Sequence, residues 1–80
     1  MQDIRYQRFN LDKESITSYS NIISINGIIG TITVFGLLGQ QVHQSQLTSG
    51  ANNITIDCSG VYLVMVQTVK GIITKKVYLN

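Results

Sequence analysis

The sequence predicts an all-β protein, an antiparallel sandwich or small barrel of about seven short strands. Three observations carry that prediction. From Ser15 onward, β-branched residues and tyrosines dominate and turn residues recur at short intervals. No segment sustains apolar residues at the spacing of a helix face, so helices beyond a single turn are not expected. Sequential strands at hairpin spacing favour antiparallel pairing.

The elements follow in order. Ile16–Tyr19 is a first strand, closed by a break at Ser20-Asn21. Ile22–Ile25 is a second and stops at Asn26-Gly27, the strongest short hairpin signal in the chain. Thr31–Phe35 sets threonines on one face and Ile32 and Val34 on the other, then meets the turn Gly36-Leu37-Leu38-Gly39. Gln40–Leu47 is polar on one side and ends at "TSGANN"; Asn53–Asp57 alternates around Ile54 and Ile56. Val61–Thr68 is the longest apolar strand, and Ile72–Leu79 returns after a turn at Lys70-Gly71.

Two faces stay open at this level. The sixth strand can bury Tyr62, Val64 and Val66 or Val61, Leu63 and Met65, because both sets are apolar. The last strand offers Ile73, Val77 and Leu79 against Ile72, Thr74, Lys76 and Tyr78. Lys75 shares a face with the first of these sets, so it must lie at an edge or carry its ammonium out to solvent.

Eighty residues make one domain. Hydrophobic residues are 44% of the chain and charged residues 12%, which opposes intrinsic disorder. Six of the ten charges fall in the first fourteen residues, so residues 1–14 read as a linker or N-terminal arm and 15–80 as the sandwich. Ile4, Tyr6 and Phe9 of the arm could dock or pair as an edge strand. The net charge is +2 and no basic cluster exceeds two residues, so nucleic-acid binding is not expected. No apolar run is long enough for a membrane-spanning helix, and the first residues lack the apolar core of a signal peptide.

A catalytic reading finds no constellation. Acyl transfer needs a nucleophile, a base and an orienting group. His43, the one histidine, sits on a polar strand and reads as solvent-facing; Cys58, the one cysteine, reads as a small, partly buried residue at a strand end. Of the four carboxylates, three lie in the arm, and Asp57 ends a strand, where Asp commonly caps a turn. Neither a calcium-type loop nor a zinc ligand set is present, and no cofactor is expected. The Gly-x-x-Gly pairs at Gly27–Gly30 and Gly36–Gly39 precede strands, whereas a phosphate loop precedes a helix.

The order of elements is more specific than any one of them. "TITVFGLLGQQVHQSQL" gives a strand, a Leu-x-Gly-Gln-x-Val turn and a polar strand; "NNITID" follows, then "SGVYLVMVQT" and the terminal "KGIITKKVYLN". Over 31–80 this resembles the type A C-terminal sorting domain of cargo proteins of the type IX secretion system of Bacteroidota. The matching residues are Leu37, Gly39, Gln40 and Val42; Ile56 and Asp57; Gly60, Val61, Tyr62 and Val64; and Gly71, Lys75, Lys76 and Val77. The chain departs from the family in having no Tyr-Pro-Asn-Pro segment and in placing Met65 where Lys or Arg is common.

The resemblance implies an immunoglobulin-like sandwich and no catalysis. It implies a domain at the end of a larger exported protein, with the outer-membrane secretion machinery and a sortase-like protease as partners and the cell surface or exterior as destination. The recognition residues would be Leu37, Gly39, Gln40, Val42, Gly60, Tyr62, Gly71, Lys75, Lys76 and Val77. The family pattern turns Tyr62, Val64 and Val66 inward, which leaves Leu63 and Met65 as an outward apolar patch. A second expectation rests on that patch: a small adhesion or assembly module that forms homo-oligomers through a sheet face.

Overall fold

A computed structural model describes residues 15–80. The arm expected over 1–14, with Ile4, Tyr6 and Phe9, lies outside the described residues. The seven strands are β1 (Ile16–Tyr19), β2 (Ile22–Asn26), β3 (Gly30–Gly36), β4 (Gln41–Leu47), β5 (Ala51–Thr55), β6 (Gly60–Thr68) and β7 (Gly71–Leu79). They form two antiparallel sheets, ordered β1-β2-β5 and β4-β3-β6-β7. The fold is the predicted β-sandwich.

The alternation of each strand decides which side faces the other sheet. Ile23 and Ile25 of β2, Ile32 and Val34 of β3, and Val64 and Val66 of β6 are fully buried, and Ile16 of β1 joins them. Each such side chain contributes roughly 1.5–3 kcal/mol by leaving water. In β6 the buried set is Tyr62, Val64 and Val66, and in β7 it is Ile73, Val77 and Leu79. That settles both faces the alternation had left open.

The strand β5 runs over Ala51–Thr55, two residues ahead of the expected Asn53–Asp57. The reason is its partner. Asn52 stands opposite Ile25 in β2, and its Nδ2 donates to the Ile25 carbonyl at 3.2 Å. The same amide holds the incoming loop: Nδ2 also reaches the carbonyls of Thr48 and Gly50, and Oδ1 accepts from the Thr48 amide and hydroxyl. Beyond Thr55 the ladder ends, and the Ile56 amide donates to Asn21 in the β1–β2 turn.

The two sides of the sandwich differ. Where β1 lies over β7, the seam is fastened: the Asn80 amide donates to the Ser20 carbonyl at 3.0 Å, and Lys75 Nζ donates to the Ile16 carbonyl at 2.6 Å. Lys75 is thus an inward-pointing lysine on an edge strand, half-buried along its stem, as its place in the alternation required. On the opposite side, β4 and β5 are the two sheet edges.

The outer face of the larger sheet is less open than expected. Leu63 and Met65 do face outward, but both are half-buried. Leu63 stands between Phe35 and Lys76, and Met65 between Thr33 and Thr74. Thr33 is itself buried there, accepting a hydrogen bond from Gln44 Nε2 at 3.2 Å. The exposed apolar residues of this face are Ile72 and Tyr78 at its β7 margin.

Candidate functional site

The Leu-x-Gly-Gln-x-Val segment is the turn from β3 to β4. The Gly39 amide donates to Gly36 at 3.0 Å and the Gly36 amide to Gln40 at 2.8 Å, closing a tight loop. Gly39 takes φ 91°, a conformation that side chains disfavour. Leu37 and Leu38 stand exposed at the end of the sandwich, Leu38 almost completely. Gln40 is also exposed. Val42 is a bulge residue: the register passes from Val34 opposite His43 to Phe35 opposite Gln41, which leaves Val42 without a partner.

Gly60 and Tyr62 reach the same end, because Tyr62 stands opposite Gly36. The Tyr62 ring is buried and its hydroxyl donates to the Cys58 carbonyl, four residues back, at 2.9 Å. This is the arrangement of a tyrosine corner, in which a ring fills the core while its hydroxyl fastens the incoming loop. Gly71 sits at the far end of the sandwich, in the β6–β7 hairpin. There the Thr68 hydroxyl accepts from the Lys70 amide at 3.0 Å and lies 3.3 Å from the Gly71 carbonyl. Lys75, Lys76 and Val77 occupy the second half of β7, where Lys75 joins the seam, Lys76 projects to solvent and Val77 enters the core.

The expected recognition residues therefore do not converge on one pocket. Leu37, Gly39, Gln40, Val42, Gly60 and Tyr62 gather at one end; Val77 stands opposite Tyr62 on the β7 edge, with Lys76 and Lys75 next along it, and Gly71 is at the other end.

A groove of about 380 Å³ opens between the β4 and β5 edges at the first of these ends. Val42, His43, Thr55, Ile56, Asp57, Cys58 and Tyr62 line it. His43 is not the solvent-facing residue expected from its polar strand. It stands opposite Val34, faces inward, is half-buried, and hydrogen-bonds through Nε2 with Ser45 Oγ at 3.0 Å. Cys58 differs in the other sense, being exposed in the loop between β5 and β6. The groove thus joins the one histidine and the one cysteine, a juxtaposition invisible in the sequence because β4 and β5 belong to different sheets. Among the described residues no three of His, Cys, Asp and Glu come together as a metal site. Nor does any helix there have the length and apolarity to cross a membrane.

Sequence reasoning also missed Gly30. A Cβ at this position would run into the backbone carbonyl of Gln67 in β6, so β3 and β6 approach closely there. The contact joins residues far apart in the chain, and no local signal marks it.

Comparison with known protein families places this geometry. The family described as secretion system C-terminal sorting domain matches residues 9–80. The chain belongs to that family, whose members are non-catalytic sorting signals for type IX secretion. Membership implies interaction with the secretion machinery and export to the cell surface or beyond, as part of a larger protein. No curated protein and no solved structure matches the chain.

Proposed function

We propose that this chain is the non-catalytic targeting domain of an exported cargo protein, delivering that cargo through the type IX system to the cell surface or the exterior. The observation that carries this reading is the family match over residues 9–80, which takes in all seven strands of the sandwich. In this reading residues 1–14 are the linker to the cargo, and a sortase-like protease cuts there after passage. The terminal strand serves the signal first by completing the fold, since β7 supplies Ile73, Val77 and Leu79 to the core.

The test is a reporter carrying an ordinary export signal and ending in this chain, expressed in a host with the type IX system and in the same host without it. The reporter should appear outside the first and remain in the periplasm of the second. Retention in both hosts would remove the sorting role.

A second reading, a homo-oligomeric assembly module, draws on Ile72 and Tyr78, exposed on the outer sheet face. Light scattering separates the two: assembly requires association that Tyr78→Lys abolishes, and sorting does not.

A further inference from the structure

Among the described residues the sandwich has four edge strands, and three of them are short or guarded. β1 has four residues and lies against β7; β5 has five and is bound up with the Asn52 loop. β7 is long, but Lys75 points inward from it to Ile16 and its end is fastened at Ser20. An inward-pointing lysine is one of the devices by which proteins stop a foreign strand from pairing with an edge.

β4 carries no such device along most of its length. Its seven residues, Gln41–Leu47, include no Lys, Arg, Asp, Glu, Pro or Gly. Among the described residues it pairs with β3 alone. The bulge at Val42 touches only its start, and His43–Leu47 runs unbroken beside β3. An unpaired strand edge of this kind is a template for an added strand, with main-chain hydrogen bonds supplying affinity and side-chain pockets supplying selectivity. The groove provides such a pocket, on the inward side of β4 where an added strand would direct alternate side chains. Its walls combine apolar Val42, Ile56 and Tyr62 with Asp57, the one acidic residue among those described. That combination suits a long side chain with an apolar stem and a cationic end.

The geometry points to the edge of β4, which among the described residues pairs with β3 alone, as the place where the export machinery adds an extended strand, one that carries a lysine or arginine facing Asp57. The inference rests on the sorting reading above and adds the surface and the chemistry of the partner segment.

The experiment uses the whole chain fused behind the reporter, with three substitutions. Ser45→Lys moves the Lys75 device to the inner side of β4. Gln46→Lys and Asp57→Lys alter exposed positions and keep the test valid if Ser45→Lys fails to fold. Purified Gln46→Lys and Asp57→Lys should melt as the parent does, while reporter export falls by about tenfold or more through the blocked edge and the reversed groove charge. Export at the parent level in both would overturn the docking proposal and leave the sorting role standing. Retention of the unsubstituted fusion would overturn both. A concentration-dependent dimer that Gln46→Lys disperses, with export unchanged, would assign the edge to a second copy of the chain and so also overturn the proposal.

Discussion

The ammonium of Lys75 donates to the main-chain carbonyl of Ile16 at 2.6 Å, joining the edge strand of one sheet to the edge strand of the other. Next to it in sequence, Lys76 projects from the opposite face of β7 into solvent. Two adjacent lysines of one terminal motif therefore have different work, and alternation along the strand is what separates them.

Stability measurements should show that separation. Lys75→Met keeps the stem and removes the donor, leaving the part-buried Ile16 carbonyl less well satisfied. A hydrogen bond from a charged group is worth about 1.5–3 kcal/mol, so a loss of about that size is expected on urea unfolding. Lys76→Met should stay within about 0.5 kcal/mol of the parent, as exposed substitutions do. Equal effects at the two positions would remove the seam from the explanation.

Tyr62→Phe deletes the hydroxyl that fastens Cys58 and leaves the ring in the core. The expected cost is about 0.5–1.5 kcal/mol in thermal or chemical unfolding. Tyr62→Ala should cost more, about 3–5 kcal/mol, since it also empties a ring-sized volume. Similar costs for the two variants would show that the ring is not packed as described.

Glycine substitutions distinguish close approach from free space. Gly30→Ala forces a methyl against the Gln67 carbonyl and should cost about 1–3 kcal/mol, or prevent folding, because strands β3 and β6 must part to admit it. A methyl on Gly50 would meet nothing within 4 Å, and Gly50→Ala should change the melting midpoint little. Circular dichroism melts of the two variants decide the point.

Asn52 gathers five hydrogen bonds from the β4–β5 loop and from β2. Asn52→Ala should destabilise the domain by about 1–3 kcal/mol, since the part-buried Ile25 carbonyl loses its side-chain donor and the exposed loop carbonyls of Thr48 and Gly50 lose theirs. It should also raise amide exchange selectively over residues 48–51, whose geometry depends on that one side chain. Uniform exchange across the domain would contradict this role.

Much of the fold was legible in the sequence because it depends on alternation. Strand positions follow from a period of two, and so does the choice set for Lys75, an edge or an ammonium carried out to solvent, given the cost of burying a charge; the inward set of β7 was decided only by the structure. The face of β6 was not decided by alternation, since Val61, Leu63 and Met65 are as apolar as Tyr62, Val64 and Val66. The distribution of strands between two sheets was not legible either, and three features depend on it. His43 faces inward because β3 places it opposite Val34, although "QVHQSQL" carries polar residues on both sides. The groove forms only when β4 and β5 face each other. Gly30 is required by a carbonyl of β6. Each is a relation between distant segments, and composition along a single strand carries no record of it.

The most direct measurement of the sorting role is the fate of a reporter ending in this chain, compared with the same fusion lacking Thr74–Asn80. The truncation removes Val77 and Leu79 from the core together with Lys75 from the seam. In a host with the type IX system, the complete fusion should be recovered outside the cell and the truncated one in the periplasm. Recovery of both in the periplasm, with the complete domain folded, would contradict the assignment.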